Sequence, residues 1–165
     1  MEKVLLAISG ISPSLKAFQY TAELCSRIKA DLNILQIVRL AKTKDGLKRI
    51  RDKAGQLRRR IEDSMTAATF AEAGEHETAR DILDQARRNL APLLGQAEES
   101  GLTYEVTFKA GEPREEIVSY LNNHRDIVLT VCDVDSGKEA FSGMGKESIV
   151  TEIAEHSTVP VVLIR

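Results

Sequence analysis

Small polar residues follow the first apolar run of the chain, in the stretch SGISPS from Ser9 to Ser14. The turn after a first strand is where many α/β proteins bind nucleotide phosphates, because glycine lets backbone N–H groups approach the anion and a helix begins there. The same residue types also make an ordinary bend, since Gly10, Pro13 and Ser14 supply turn and helix-start chemistry. The spacing alone therefore leaves both a phosphate loop and a plain strand-to-helix bend open.

A second glycine-containing loop, SGMGKES, lies near the other end of the chain at 142–148. With Gly143, Gly145 and a lysine running into a predicted helix start, it could hold an anion. It is not a Walker A loop, because Ala140 replaces the required earlier glycine and Glu147 follows the lysine. The alternative interpretation is a mobile surface loop.

Other residue types that could do chemistry are few. Cys25 and Cys132 are too far apart in sequence to indicate a disulfide framework or a zinc site, and we interpret both as small buried hydrophobes. The carboxylate of Asp133, next to Cys132, should raise the pKa of that thiol and disfavour a thiolate. The three histidines show no metal-ligand spacing with cysteine or aspartate. We therefore predict no catalytic residue and no metal site.

Hydrophobic periodicity predicts the elements that position these residues. Continuous apolar runs are typical of strands buried on both faces, and apolar residues at steps of three and four are typical of helices packed on a sheet. Strands alternating with helices predict a doubly wound α/β fold with five parallel strands and helices on both faces. The predicted strands are Val4–Ile8, Asp31–Val38, Tyr104–Phe108, Asp126–Cys132 and Val159–Ile164, and the predicted helices outside the middle are Ser14–Ile28, Pro113–His124 and Glu147–His156.

The connection between the second and third strands is longer than one crossover helix needs. Apolar residues step by three and four over Leu47–Ile61 and again over Ala79–Ala97, with a break at Glu72–His76. This pattern predicts an elongated helical hairpin over about residues 42–100, inserted in a single domain that spans 1–165. The hairpin is a possible surface for a protein partner.

Composition excludes several classes of protein. The chain of 165 residues is 42% hydrophobic and 29% charged, as in soluble globular proteins, with a net charge of −2. This balance gives no general attraction to nucleic acid or to an anionic membrane, and no apolar run is long enough to span a bilayer. We therefore expect a cytoplasmic protein with no nucleic-acid partner and no membrane partner.

Three segments in the right order resemble the universal stress protein family. The opening KVLLAISGISPSLKAFQYTAELCSRIKADLNILQIV resembles the first strand, helix and strand of the family, and GEPREEIVSYLNNHRDIVLTV and ESIVTEIAEHSTVPVVLIR resemble its later motifs. The match covers about Lys3–Val38 and Tyr104–Arg165 and leaves the helical middle outside. The resemblance implies the strand order 3-2-1-4-5 and a stress-response role.

Members of this family that bind ATP carry motifs from which this sequence departs. Ser9 stands where those members have an aspartate after the first strand, the residues 130–134 replace their MGxxG motif, and Glu147 replaces the glycine of a glycine-serine pair. Ser148 is the retained residue of that pair. Because the replacements add bulk and a negative charge where a polyanion would bind, the departures predict no ATP binding in the usual manner of the family.

The resemblance thus implies at most a vestigial nucleotide or anion site, and no cofactor. It leaves as alternative an adenine-nucleotide switch or slow ATPase that uses an altered phosphate loop at 143–148 and ATP as its cofactor. SGISPS also resembles the SGGxDS loop of ATP pyrophosphatases, but Ile11 and Pro13 replace its second glycine and its aspartate, which favours the plain bend. The candidate site residues are Ser9, Gly10, Val38, Gly143, Gly145, Ser148 and Ile149.

The function that follows is a non-enzymatic regulatory or binding module of the stress response. Its last strand, Val159–Ile164, is apolar on both faces and should lie at an edge of the sheet, where unpaired backbone groups invite another strand. Pro160 lacks a backbone donor, which an edge strand tolerates. Members of the family often pair this strand with its copy, which predicts a homodimer through Val159–Ile164.

Overall fold

The computed structural model of the protein describes residues 1–39, 76–133 and 146–164. Within these residues, parallel strands form one sheet with the order β3-β2-β1-β4-β5, which confirms the predicted fold class. In chain order the elements are β1 (Lys3–Ser9), α1 (Leu15–Ile28), β2 (Asp31–Val38), α2 (His76–Glu99), β3 (Tyr104–Ala110), α3 (Pro113–Asn123), β4 (Ile127–Asp133), α4 (Lys146–His156) and β5 (Val161–Ile164).

Strand β1 lies at the centre of the sheet and is buried on both faces, as its unbroken apolar run predicts. On one face, Leu5 packs in a cluster with Ile117 of α3; on the other, Leu6 packs in a cluster with Phe18 of α1 and Leu90 of α2. Each fully buried side chain of this kind contributes about 1.5–3 kcal/mol to folding. The two clusters therefore fix the sheet between its helices.

Helix α1 begins where the sequence predicts. Ser14 is the N-cap, and its hydroxyl oxygen accepts a hydrogen bond from the N–H of Ala17 at 3.2 Å. The helix ends at Ile28, and its C-cap Lys29 adopts the left-handed conformation with φ of 61° and donates its N–H to the carbonyl of Cys25. The cap at Ser14 fixes where the chain turns from β1 into the helix.

Helix α2 corresponds to the second predicted helix of the middle region. Its buried side chains recur at steps of three and four, and they pack on the face of the sheet that α1 also covers. The first predicted helix, Leu47–Ile61, and the break at Glu72–His76 up to residue 75 lie outside the described residues. The buried positions of α2 are Leu83, Ala86, Leu90, Leu93 and Ala97.

The two edges of the sheet are β3 and β5. Strand β5 begins at Val161, two residues later than predicted, because Pro160 has no N–H to donate to the ladder and contributes only its carbonyl, which accepts from the N–H of Thr130 at 2.9 Å. The β5 side chains Val161 to Ile164 are all partly buried. The predicted edge position of the last strand is therefore confirmed.

Asn33 of β2 anchors a polar cluster inside the apolar core. The Tyr120 hydroxyl of α3 donates to Asn33 Oδ1 at 3.0 Å, and Thr107 Oγ1 of β3 lies 3.3 Å from the same hydroxyl. Asn33 is fully buried and Tyr120 is 3% exposed. We call Asn33, Thr107 and Tyr120 the Asn33 cluster; it joins β2, β3 and α3.

No helix among the described elements combines the length and the apolar character that a membrane span requires.

Candidate functional site

The carboxyl ends of β1, β2 and β4 meet at one edge of the sheet. The register pairs Ser9 with Ile37 of β2 and Ile8 with Asp133 of β4. The chain order of the strands reverses between β1 and β4, and ligands of open α/β sheets bind in the crevice outside such a switch point. A ligand-binding site of this fold is therefore expected at this edge of the sheet.

The chain leaves β1 through a tight bend at residues 10–14. Gly10 has a φ of 97°, a conformation that a residue with a side chain seldom adopts, and its N–H donates to the carbonyl of Ile37 at 2.8 Å. Ser9, which precedes it, is 2% exposed. The glycine is needed here to turn the backbone, which explains its place in SGISPS without a ligand.

Two amide side chains hold the carbonyl groups of this bend. Gln36 Nε2 of β2 donates to the carbonyl of Gly10 at 2.9 Å, and Asn89 Nδ2 of α2 donates to the carbonyl of Ile11 at 2.8 Å. Gln36 is fully buried, and its Oε1 has no hydrogen-bond partner within the described part of the chain. The bend is thus held from β2 on one side and from the long helix on another.

A carboxylate from β4 holds the start of α1. Asp133 Oδ2 accepts a hydrogen bond from the N–H of Ser14 at 2.7 Å, and Asp133 is 1% exposed. A short bond from an N–H to a buried carboxylate is among the stronger hydrogen bonds of a protein. We call Gln36, Asn89 and Asp133 the bend clamp.

The clamp determines what the bend can offer a ligand. Phosphate loops bind through free N–H groups at a helix start. Here the N–H groups of Gly10, Ser14 and Ala17 already donate to Ile37, to Asp133 and to the Ser14 hydroxyl. In addition, the Asp133 carboxylate brings a negative charge to the start of α1.

The predicted site residues of the first half of the chain lie near this edge. Ser9 and Gly10 are at the bend, and Val38 is the last residue of β2. Val38 is 3% exposed and belongs to an apolar cluster with Leu83 and Ala86 of α2. Its side chain is thus part of the packing between the sheet and α2.

The predicted site residues of the second half fall partly outside the described structure. Ser148 and Ile149 lie in the first turn of α4. Gly143 and Gly145 lie outside the described residues, as does the loop before Lys146. A nucleotide or anion site that joins the two halves therefore stays a prediction.

The segment that replaces the MGxxG motif begins inside a strand. Thr130 and Val131 are fully buried residues of β4, which extends as far as Asp133. Thr130 Oγ1 has no hydrogen-bond partner in the described parts of the chain. Up to Asp133, this segment is therefore part of the sheet and supplies the clamp carboxylate at its end.

Neither cysteine is suited to nucleophilic chemistry. Burial, and secondly the charge of Asp133, raises the pKa of Cys132 to about 12. Burial, and secondly the charge of Asp31, raises the pKa of Cys25 to about 11. Both thiols are buried, as predicted for free cysteines, and stay protonated at neutral pH.

The residues 1–39, 76–133 and 146–164 contain no group of three or more His, Cys, Asp and Glu side chains that could hold a metal ion.

The bend clamp is the part of the site that sequence reasoning missed. Gln36 interrupts the apolar run DLNILQIV, and a polar residue in a buried strand needs a hydrogen-bond partner, so this position carried a usable signal. Asn89 lies among the polar residues of an amphipathic helix and carries no such signal. The sequence presents Asp133 as the neighbour of Cys132 and as part of the segment that replaces the MGxxG motif, and neither pattern indicates its bond to a residue 119 positions away.

A sequence model of the universal stress protein family matches residues 1–165 of this chain. Among curated proteins, no sequence matches it.

Solved structures of universal stress proteins share its fold. The protein UspA from Lactobacillus plantarum is 18% identical, with a TM-score of 0.57, over 100% of this chain and 99% of that one. A universal stress protein from Archaeoglobus fulgidus in complex with dAMP is 13% identical, with a TM-score of 0.58, over 100% of this chain and 98% of that one. A universal stress protein in complex with cAMP is 16% identical, with a TM-score of 0.58, over 99% and 97%. At these identities the likeness concerns the fold.

Proposed function

Because the chain belongs to the universal stress protein family, we propose that it is a regulatory module of the stress response that works by binding and not by catalysis. We propose further that it does not bind ATP at the crevice between β1 and β4. Both cysteine thiols are buried with raised pKa values, which supports a role without a thiolate nucleophile.

The observation that carries this proposal is the bend clamp. Its three side chains come from β2, α2 and β4, and each one bonds to a backbone atom of the bend. A triphosphate at this edge would have to displace the Asp133 carboxylate from the N–H of Ser14 or lie beside it. Two anions in contact repel each other, which disfavours a triphosphate beside this carboxylate.

Calorimetric titration with ATP and magnesium tests the proposal. We expect no dissociation constant tighter than about 0.1 mM, which corresponds to about −5.5 kcal/mol. The same preparation should release no inorganic phosphate from ATP above background in a sensitive assay of hydrolysis. A micromolar dissociation constant, or steady turnover of ATP, would overturn the proposal.

The second candidate function is an adenine-nucleotide switch or slow ATPase. It is supported by the related folds solved with dAMP and cAMP and by the glycines of the loop at 143–148, which lies outside the described residues. Heat denaturation of the purified protein, followed by mass spectrometry of the released small molecules, distinguishes the two candidates. A bound adenine nucleotide that Ser148→Ala weakens would favour the switch.

We also propose a homodimer through the β5 edge. The two edges of the sheet differ in charge, because β3 carries Glu105 and Lys109 whereas β5 is entirely apolar. Charged residues discourage pairing at an edge, and their absence permits it. An antiparallel contact between two β5 strands would satisfy the backbone groups of both edges and cover Val162.

Light scattering tests this assembly, and the proposal expects twice the 18.2 kDa chain mass. Val162→Lys should shift the mass towards the monomer. Val106→Lys, at a partly buried position that packs on the same core cluster from the β3 edge, is the matched control and should leave the mass unchanged. If the wild-type protein is a monomer at micromolar concentration, the assembly proposed here is wrong.

The helical region between β2 and β3 is the proposed surface for a protein partner. In α2 the apolar side is used against the sheet, so a partner would meet the exposed polar side that carries Asp81, Arg87 and Arg88. Charge reversal at Arg88 should weaken such a complex without changing the fold. We place the protein in the cytoplasm, a location that fractionation of cells would check.

A further inference from the structure

Helix α1 carries a row of large hydrophobic side chains on the flank that faces away from α2. Phe18 and Ala22 lie on the other flank, where they line a cleft against α2. Tyr20, Leu24 and Ile28 follow one another at steps of four and start two residues after Phe18, which places them about 200° around the helix. Tyr20 is 43% exposed and Ile28 is 44% exposed. Because α2 lies over β2 and β3, this row faces the side of the sheet that holds β4 and β5.

The two faces of β5 are covered differently. On one face, Val161 and Leu163 pack on the core cluster that contains Ile153 of α4. On the other face, Val162 and Ile164 pack against the core cluster that contains residues of α1, but α1 itself packs mainly on β1, β2 and β4. Within residues 1–39, 76–133 and 146–164, no helix therefore covers this second face of β5 to the extent that α4 covers the first.

The row on α1 and the second face of β5 form one apolar surface. Leu129 of β4 lies between them, and it packs against the same core cluster as Leu24 and Val162. Two strand spacings, about 10 Å, separate β5 from β1 beneath α1, and neighbouring helices pack about 8–10 Å apart. The surface therefore has the width of one helix. We call it the β5 shelf, and its residues are Tyr20, Leu24, Ile28, Leu129, Val162 and Ile164.

We propose that the β5 shelf is the docking site for a segment of the same chain, the predicted amphipathic helix Leu47–Ile61. This segment lies outside the described residues, and its apolar residues recur at steps of three and four in the sequence. A helix with such a row needs an apolar surface to cover it, and the shelf is an apolar surface that needs a helix. Docking removes both from water at once.

The length of the connecting chain allows this placement. Strand β2 ends at Val38, and β5 lies three strand spacings away in the sheet, about 14 Å. The residues 39–46 reach up to about 26 Å when extended, so the segment can begin at the carboxyl end of the shelf. A helix over Leu47–Ile61 is about 22 Å long. The residues 62–75 reach up to about 46 Å, which is enough to return along this helix to the start of α2 at His76.

Cross-linking of introduced cysteines tests this docking in the whole chain. Leu57→Cys is combined with Tyr20→Cys, and a short bismaleimide is added; the native Cys25 and Cys132 are buried and should react slowly. We expect a cross-link within one chain. The matched control combines Leu57→Cys with Gln19→Cys, because Gln19 is the neighbour of Tyr20 but lines the cleft against α2. The control pair should react on the order of ten times more slowly, since its effective concentration is lower.

The mass of the cross-linked product identifies the occupant of the shelf. A product with the mass of one chain, formed faster than in the control pair, supports the inference. Equal rates for the two cysteine pairs would contradict it. A product with the mass of two chains would mean that a second copy covers the shelf, and this result would also overturn the inference.

Methyl resonances give a second measurement that needs no cross-linker. Leu57→Asp places a charge in the docked row, so the methyl resonances of Ile28 and Ile164 should shift, whereas those of the core residue Leu90 should not. Gln56→Asp, on the polar side of the same predicted helix, is the control and should leave all of them in place. If Ile28 and Ile164 do not respond to Leu57→Asp, the inference is wrong. Neither experiment involves a nucleotide, so the docking can fail while the proposed function stands.

Discussion

The Asn33 cluster and the bend clamp are two groups of polar residues, and each contains one residue of the buried strand β2. Asn33 and Gln36 are both fully buried in β2, and because they are three residues apart they lie on opposite faces of the sheet. Asn33 bonds to the side chain of Tyr120, whereas Gln36 bonds to the backbone of Gly10. The first therefore ties secondary structure elements together, and the second fixes the conformation of a loop.

The position of each group explains this difference. The Asn33 cluster lies under α3, where the Tyr120 hydroxyl bonds to Asn33 and contacts Thr107, so that β2, β3 and α3 become more rigidly joined. The clamp lies at the carboxyl edge, where a loop of an α/β protein would otherwise be free to receive a ligand. In this protein, therefore, the buried Gln36 fixes a loop at the carboxyl edge of the sheet, whereas the buried Asn33 joins core elements.

The largest expected effect on stability is at the Asn33 cluster. Tyr120→Phe removes the donor to Asn33 Oδ1 and leaves that buried atom unpaired, which should cost about 1–3 kcal/mol. Urea unfolding measures the loss. Tyr20→Phe, at a hydroxyl on an exposed ring, is the control and should change little. Amide exchange at Gly10 and Ser14 in Tyr120→Phe should equal that of the wild type; faster exchange there would mean that the two groups are not independent.

The second-largest expected loss of stability is at Gln36 of the bend clamp. Gln36→Met keeps the volume of the side chain but leaves the carbonyl of Gly10 without its donor, and it should cost about 1–2 kcal/mol in the free energy of unfolding. Unlike Tyr120→Phe, it should also accelerate amide exchange at Gly10 and Ser14. Gln19→Met on the exposed side of α1 is the control. A loss of stability without faster exchange at the bend would mean that Gln36 stabilises the core, as Asn33 does, and does not fix the conformation of the bend.

The smallest expected effect is at Asn89. Its amide bonds to the carbonyl of Ile11 from a half-exposed position on α2, so Asn89→Ala should cost only about 0.5–1 kcal/mol. Urea unfolding again measures the change, with Asn122→Ala on the exposed face of α3 as control. An effect as large as that of Tyr120→Phe would show that α2 holds the bend more strongly than its single bond implies.

Much of the fold could be predicted from local signals. Strands β1 and β2 can be predicted from their apolar runs, and the start of α1 from its Ser14 cap. Burial on both faces and capping depend on residues that are close in sequence. The strand order came instead from the likeness to a family, since apolar runs alone do not say which strands are neighbours. Strand β5 starts two residues later than its apolar run predicts, because Pro160 interrupts the ladder but not the apolar run.

The candidate site was less predictable because its contacts are distant in sequence. Gly10 and Ser14 could be assigned to a bend from their types alone. No local pattern indicates that Asp133 bonds to Ser14, because this contact depends on β1 and β4 being neighbours in the sheet. A buried amide such as Gln36 signals that a partner exists, but only the register of β2 with β1 identifies it as Gly10.

The central claim is that the N–H groups of Gly10, Ser14 and Ala17 donate to internal acceptors and are therefore not offered to a nucleotide. Residue-resolved amide exchange at Gly10, Ser14 and Ala17, with and without about 1 mM ATP and magnesium, tests it most directly, since that is about ten times the expected limit on the dissociation constant. The account predicts that these amides are protected in the free protein and that ATP leaves their exchange unchanged. Amides that exchange freely and become protected only when ATP is added would contradict it.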